Sequence, residues 1–547
     1  MRITAALERT AEMLRRLSMT YFYIAAAIRG SPHFARNDAH FAFGVALTGN
    51  ILRFLLTYSE NQYIITNILI NIKGGIFLDK FFRLAEHGTN KKTEIIAGLT
   101  TFMAMAYILM VNPGMFADLG TVSFGAIYIA TALSAVVGTL LIGLLANLPL
   151  AQASGMGLNA FFVYTVCFGL GFSYANALLF VLVDGLIFIL LTVTGLRRLI
   201  FEAIPQAVKA AIPAGIGLFI AFLGFQNSGL VITDPSTGVT LASFNLLGSA
   251  TWGSIMPMLV TVASLIAIAV LAKKGVKGAI LWSILGGAVV YYLLGFTIPG
   301  FYDGFLAGIS LNPLTAFKEF GELAFLKIFT EGFDFSAYLA IEGHSVSGLI
   351  IAFVTTALAF CMVDMFDTMG TLYGACRGGG LLIKNAKGED EVPNMNKAML
   401  ADAIATCTGA ICGTSTVTTF VEASSGVAVG GRTGMAAIVT AVLFFIALFL
   451  SPIAALIPAA AYAAALIYVG ILMIGCVKDI DWNDPAIAVP AFLTITMMPF
   501  TYNISYGIAF GLIAYIATKL FTGKAKEINA GTWVIAILFA LMFFLTH

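Results

Sequence analysis

The chain has 547 residues, 60% of them hydrophobic and only 10% charged, with a formal net charge of +1 and a mean hydropathy of +0.96. Soluble domains carry about 25% charged residues, so this composition excludes an ordinary soluble enzyme or binding module. The near-neutral charge offers no basis for nucleic-acid binding. The six cysteines (positions 167, 361, 376, 407, 412 and 476) contain no CxxC pair and sit mostly in apolar runs, so neither a metal site nor a disulfide frame is expected.

Residues 1–80 differ from the rest. Short apolar pieces are interrupted by Arg2, Arg15, Arg16, Arg29, Arg36 and Arg53, with no order of segments resembling a signal peptide. One expectation is a start further in: Lys73-Gly74-Gly75 fits a purine-rich, ribosome-binding-like tract, with Leu78 as a non-AUG start. Residues 81–530 form the main unit. Its apolar segments predict fourteen spans, at 94–112, 123–147, 155–171, 174–195, 206–226, 252–272, 277–298, 347–370, 398–413, 416–430, 434–455, 459–477, 485–500 and 503–520. Residues 531–547 hold one more apolar piece, short for a span. The runs are continuously apolar rather than alternating, which disfavours a β-barrel. The 55 glycines suit close helix approach in a bilayer. The expected class is an all-α polytopic membrane protein.

Lys and Arg set the orientation. With Lys80, Arg83, Lys91 and Lys92 on the cytoplasmic side, alternate connections carry Arg197/Arg198/Lys209, Lys273/Lys274/Lys277, Arg377/Lys384/Lys387/Lys397, Arg432, Lys478 and Lys519/Lys524/Lys526. The opposite connections are nearly free of basic residues. The long one, 299–346, has Lys318 and Lys327 against Asp303, Glu319, Glu322, Glu331, Asp334 and Glu342. A multi-pass protein of the cytoplasmic membrane with a cytoplasmic N-terminus is expected.

A weak internal repeat runs through the chain. Ile212-Pro-Ala-Gly opens span 5 and Ile457-Pro-Ala-Ala opens span 12, while the interrupted segment Ala153–Ala160 precedes Thr414–Glu422 at a similar offset of about 245 to 260 residues. Seven spans is an odd number, so two such halves are inverted relative to each other. Paired, interrupted segments at matching positions of inverted halves mark a transporter's substrate site.

The polar residues of these segments carry the chemistry. Thr414, Ser415, Thr416, Thr418 and Thr419 crowd hydroxyls into span 10, and Glu422 follows. A carboxyl group at membrane depth must face a cavity or hold a proton. Either state has a use: neutral, it donates a hydrogen bond; ionised, it accepts from a ligand N–H. Its alternative is a helix-to-helix hydrogen bond. Asp364 and Asp367 share one face of span 8. Two neighbouring acids in a dry site do not both ionise easily, which suits proton coupling. Gly370 and Thr371 favour Asp367 as the ligand-facing member, with bracing as the alternative for Asp364. Gly155-Met-Gly157 interrupts span 3 ahead of Asn159, whose amide offers both donor and acceptor to a heterocycle edge, or else bridges helices. Thr416 and Thr418 either meet the ligand or satisfy broken-helix backbone. Asp184, and Asp402 near a helix start, read as structural. Phe161, Phe162 and Phe420 are candidates for stacking on a flat ring.

At these residues the chain resembles a known family. Glu94-Ile-Ile-Ala-Gly-Leu-Thr-Thr-Phe-Met-Ala-Met-Ala-Tyr107, Gly155-Met-Gly-Leu-Asn-Ala160, Phe366-Asp-Thr-Met-Gly-Thr371, Gly413-Thr-Ser-Thr-Val-Thr-Thr419 and Gly430-Gly-Arg-Thr-Gly434 are similar to the AzgA-type adenine/guanine/hypoxanthine permeases of the nucleobase/ascorbate (xanthine/uracil) permease superfamily. The resemblance covers about residues 80–546. It implies a seven-plus-seven inverted repeat, with core spans 1–4 and 8–11 and gate spans 5–7 and 12–14. It implies short extended strands at the starts of spans 3 and 10, with the ligand between them and span 8. It carries the family's site onto Asp367 of span 8, Glu422 of span 10 and Asn159 of span 3. Together with the reading of the residues above, the expected substrate-binding set is Asn159, Gly157, Asp367, Thr416, Thr418 and Glu422, and the expected proton-coupling set is Asp367, Glu422 and Asp364. The implied activity is proton-coupled uptake of purine nucleobases, driven by the proton gradient without a cofactor, in a lipid bilayer and as a homodimer through the gate domain. Two rivals predict other features. An anion transporter of the same architecture needs a cationic centre. An intramembrane aspartyl hydrolase needs two carboxylates converging from separate helices and a GxGD-type motif, which the chain lacks.

Overall fold

The computed structural model describes residues 81–195, 204–299, 301, 312–342, 344–384 and 390–545. Residues 1–80, with the tract at Lys73 and Leu78, lie outside the described residues. Helices dominate. Nine of those described are long and apolar enough to cross a membrane, and four shorter apolar ones, Met156–Gly169, Ala279–Gly295, Pro485–Phe500 and Ala530–Leu541, accompany them.

Each of the fourteen predicted segments coincides with an element. Span 1 is broken: Lys91–Met105 gives way to Ile108–Ala117 at Ala106-Tyr107. The start of span 1 is capped by the Asn90 side chain, and span 2 (Phe124–Leu141) by Ser123. Span 4 (Tyr174–Thr194) opens on a Ser173/Asn176 capping box and closes on Gly195 at φ +73°. Spans 5, 6 and 7 are Gln206–Asn227, Trp252–Lys273 and Ala279–Gly295. Span 8 is one helix, Val346–Gly378, and span 9 is Met395–Cys412. Spans 11 to 14 begin at Gly434, Ala459, Pro485 and Ile504.

Spans 3 and 10 are not full helices. Span 3 starts as strand β1 (Gln152–Ser154), turns at Gly155 into the short helix Met156–Ala160, and continues as a wider π-helical stretch, Phe161–Gly169. Outside the spans lie the exposed hairpin β2 (Val231–Asp234) and β3 (Gly238–Leu241) and the two-residue strands β4 (Ile383–Lys384) and β5 (Asp390–Glu391). Span 10 starts as β6 (Val417–Thr419), then the turn Val421–Ala423 and the helix Ser424–Ala428. β1 and β6 pair antiparallel, with Gln152 opposite Thr419, Ala153 opposite Thr418 and Ser154 opposite Val417. Two flanking bonds, Gly155 N–H to Thr416 O (2.9 Å) and Phe420 N–H to Ala151 O (3.1 Å), extend the ladder. Backbone at membrane depth must find partners inside the protein. Here each broken span supplies them to the other.

One threonine clamps each strand from its own half. Thr139 of span 2 accepts from Gln152 N–H and donates to Gln152 O, both at 3.0 Å. Thr406 of span 9 does the same for Val417, at 3.3 and 3.2 Å. Spans 2 and 9 are seven apart, so the clamp is duplicated by the repeat.

Packing among the described residues falls into two groups. Span 2 packs on spans 1, 9 and 11, span 4 on spans 8 and 9, and span 10 on spans 1 and 8. Spans 5, 12, 13 and 14 pack on one another, and spans 6 and 7 join through span 12. Span 5 meets spans 3 and 8 across the seam, and span 12 meets span 1. The outer segment 312–342 lies over the first group: Ser123 donates to Glu319 at 2.6 Å, and Asn176 to the carbonyls of Gly332 and Asp334 at 2.9 Å. The C-terminal segment forms the helix Ala530–Leu545, packed between span 14 and span 8. Phe543 meets Tyr506 and Phe510 at centroid distances of 5.2 and 5.3 Å.

Candidate functional site

The strand pair brings the starts of both half-helices to one cavity. Its walls are Gly155–Leu158 of span 3, Thr418–Glu422 of span 10, Val363, Asp367 and Thr371 of span 8, Ile216 and Ile220 of span 5, and Val469 and Met473 of span 12. The cavity is narrow and partly open, with about 60 Å³ of space free for solvent. The first N–H groups of a helix have no intrahelical partner, so two half-helix N-termini present donors here. Gly155 is required by close approach. A Cβ there would lie 2.6 Å from the Thr418 methyl and 3.7 Å from Asp367 Oδ2. At Gly157 a Cβ would lie 2.5 Å from the Ile216 side chain of the facing group.

Asp367 and Glu422 are the charged groups of the lining. No Lys or Arg is among them. Glu422 Oε1 accepts a 2.6 Å hydrogen bond from Tyr107, which is fully buried at the break in span 1. That bond fixes one carboxyl oxygen. The Tyr107 ring lies 6.5 Å from that of Phe420, itself in the lining. Opposite the carboxyl groups, Ile216, Ile220, Val469 and Met473 make an apolar wall. One polar face and one apolar face suit a flat ring with N–H groups on its edge.

Behind the cavity lies a second polar layer. Asp402 accepts from Gln152 Nε2 at 2.9 Å and from Thr368 at 2.8 Å, and Thr368 also bonds Thr418 at 2.7 Å. This layer ties span 8 and span 9 to both strands. Asp402 stands in the third turn of span 9, away from the helix start, so the expected pairing with a helix dipole gives way to these side-chain donors.

The expected site residues divide. Asp367, Glu422, Gly157 and Thr418 line the cavity together. Asn159 does not. It is fully buried behind the strand, accepting from Ser154 Oγ at 2.7 Å and donating to Ser154 O at 3.3 Å. Ser154 in turn bonds Thr414 (2.9 Å), which accepts from Asn112 at 2.9 Å. Asn159, in the short helix that follows β1, folds back on the strand instead of facing the cavity. Thr416 is buried outside the lining, with no partner for its hydroxyl among the described residues. Asp364 also lies outside it. Three residues along a helix leave the two side chains about 60° apart, and Asp364 is turned toward span 9 instead of the cavity. Its Oδ2 accepts from Thr406 at 3.3 Å. Phe161 and Phe162 pack in the core, against Phe360 and Phe116, at centroid distances of 4.8 Å in each pair. Tyr107, which no sequence pattern singles out, reaches the cavity wall through Glu422. It ends the quoted motif Glu94–Tyr107, but one tyrosine in an apolar span has no distinguishing pattern.

The same motif explains a distant one. Glu94 accepts from the backbone N–H of Arg432 at 2.8 Å and of Ala436 at 3.1 Å, a carboxylate on the start of span 11. Arg432 donates to the carbonyls of Val427 and Gly431, both at 2.8 Å, closing the end of span 10. Both hold the broken span in place from its far end.

Two crossed half-spans meeting at a polar cavity inside a multi-pass helical membrane protein define a solute transporter rather than an enzyme. Residues 92–510 match the model of the Permease family of xanthine/uracil type, and the chain belongs to that family. It is 40% identical over 473 residues to the guanine/hypoxanthine permease PbuG of Bacillus subtilis, covering 85% of this chain and 98% of that one. It is 36% identical over 464 residues to the adenine permease AdeP of Escherichia coli, covering 85% and 95%. In fold it is similar to the transmembrane domain of the bicarbonate transporter BicA from a cyanobacterium, with a TM-score of 0.50 at 15% identity over 76% of this chain and 97% of that one. The architecture is a seven-plus-seven inverted repeat.

Proposed function

We propose that this permease takes up purine nucleobases (guanine, hypoxanthine or adenine) across the cytoplasmic membrane in symport with protons. The observation that carries the reading is the placement of two carboxyl groups, Asp367 and Glu422, on one wall of a cavity whose other wall is apolar. Carboxyl groups pair with the N–H groups of a purine edge, and the apolar wall takes its faces. The names of the relatives, an adenine permease and a guanine/hypoxanthine permease, agree with this substrate class. Asp367 and the second oxygen of Glu422 contact the base, Thr418 and the backbone at Gly157 complete the wall, and Asn159 holds the strand that shapes it. One of the two acids takes the coupled proton from the outer side and releases it inside. The proton gradient is the driving force, and no cofactor is needed.

Spans 1–4 and 8–11 move as a core against gate spans 5–7 and 12–14, which also form a homodimer interface. With the N-terminus cytoplasmic, the cavity runs toward Thr371 and Met473, near the ends of spans 8 and 12 that carry Arg377 and Lys478, so this structure is inward-facing. The anion-transporter reading is disfavoured by a lining with two acids and no cation.

The test is uptake of radiolabelled hypoxanthine, guanine and adenine in a host lacking its own purine carriers, with and without a protonophore. Saturable uptake of at least one base, abolished by the protonophore, is expected. Full uptake by Glu422→Ala or Asp367→Ala overturns the site, and uptake that persists after the gradient collapses overturns the coupling.

A further inference from the structure

The seam between the two packing groups is closed at one end and open at the other. Below Asp367, span 8 carries Gly370 and Gly374, and a Cβ at either would meet nothing within 4 Å. At the outer end the groups interlock. Asp118 follows span 1 and is exposed. Tyr164 of span 3 donates to Asp118 Oδ2 at 2.6 Å. The Asn227 side chain, at the end of span 5, stands beside the same phenol oxygen. The bond to Asp118 lies within one packing group, and the approach of Asn227 crosses to the other. Beside them, Tyr462 of span 12 lays its phenol against Gly114 of span 1, where a Cβ would sit 2.8 Å from Cζ. One residue beyond Tyr164, Thr165 Oγ1 donates to Tyr502 O at 2.7 Å, again across the seam. Tyr502 adopts φ +53°, a conformation that L side chains rarely take, and its ring packs edge-on to Phe219 and Phe222 of span 5.

We infer that Asp118, Tyr164, Asn227 and Tyr462 form the outer gate of the transport path. A phenol that donates to a carboxylate is a better acceptor on its own oxygen, so Asp118 primes Tyr164 to accept from Asn227 across the groups. Gly114 is the socket that lets Tyr462 close over the seam. Opening to the outside requires Tyr164 and Asn227 to part and Tyr462 to leave Gly114. Asp118 acts through Tyr164 and is a positioning residue. The inference rests on the alternating movement proposed above.

The test places Gly114→Cys and Tyr462→Cys in a full-length, otherwise cysteine-free protein and adds a short homobifunctional, reducible thiol reagent from outside. Cross-linking is expected to abolish uptake and reduction to restore it. Adding Tyr164→Phe or Asn227→Ala is expected to lower the cross-linking rate several-fold. In the protein with residues 114 and 462 intact, either substitution is expected to lower the apparent KM for external substrate together with the maximum rate, because more molecules stand open outward. A structural defect would lower the maximum rate alone. Full uptake by the cross-linked protein overturns the gate, as does a parental cross-linking rate with a parental KM in both variants. Cross-linking is read without substrate, so a parent that takes up no purine overturns the substrate reading while the gate is still judged by its cross-linking rates.

Discussion

Replacing Tyr107 by Phe removes one oxygen from a fully buried ring and leaves its packing on Phe420 intact. What is lost is the 2.6 Å bond to Glu422 Oε1. A hydrogen bond to a charged group contributes about 1.5–3 kcal/mol and one between neutral groups about 0.5–1.5 kcal/mol. At about 1.4 kcal/mol per factor of ten, those ranges become roughly 10- to 150-fold and roughly 2- to 10-fold in affinity if Tyr107 holds Glu422 in its binding geometry. The size of the effect therefore reports the charge on Glu422 when substrate binds. The assay is competition of unlabelled purine against labelled purine uptake, at matched surface expression, in Tyr107→Phe and the parent. A loss above tenfold assigns an ionised Glu422 to the binding step, and a smaller one a protonated Glu422. Unchanged inhibition constants would refute the reasoning, since Glu422 would then keep its orientation without Tyr107.

Three further outcomes follow from the same geometry. Gly155→Val should reduce uptake about tenfold or more at normal expression, because overpacking of a tight contact costs about 1–3 kcal/mol and the added atoms meet Thr418 beside Asp367; a transport assay against surface labelling checks it. Asn159→Ala should lower the thermal midpoint of the purified protein, by the equivalent of about 1–3 kcal/mol, with little change in purine inhibition constant. A large rise in that constant without loss of stability would return Asn159 to the ligand. Thr139→Val and Thr406→Val should each destabilise the protein by about 1–3 kcal/mol, because each leaves a buried strand N–H and C=O without a partner. Thermal unfolding in detergent should rank them together, and a silent Thr406 beside a damaging Thr139 would contradict the duplicated clamp.

Membrane spans are legible in a sequence because their signal is local: a continuous apolar run needs no knowledge of what it packs against. The interrupted spans are legible for the same reason, since Gly155, Gly157 and the hydroxyl cluster break the run visibly. Asp367 and Glu422 stood out because a carboxyl group in hydrocarbon demands a use. What stayed hidden depends on partners far away in the chain. Asp402 looked like a helix-start acid, and its donor Gln152 is 250 residues distant. Tyr107 finds Glu422 across 315 residues. Asn159 has the right chemistry for a ligand, but its direction is set by a turn of backbone at Gly155 that hydropathy does not encode. Asp364 and Asp367 share a helix face on paper, yet one faces a cavity and the other a neighbouring helix.

The pairing of Gln152 with Thr419 spans 267 residues. Ribosomes add about 5–20 residues per second, so β1 emerges on the order of 10–50 s before β6 exists. For that interval its strand edge has no cross-chain partner, in a solvent that offers none. The Thr139 clamp supplies one donor and one acceptor from the span made just before it, which makes span 2 a nursemaid for span 3 during insertion. The remaining edge must be sheltered by the insertion machinery or held at the bilayer surface until span 10 arrives. Nascent chains arrested before residue 417 should therefore expose span 3 to aqueous thiol reagents, and chains arrested well past span 11 should not.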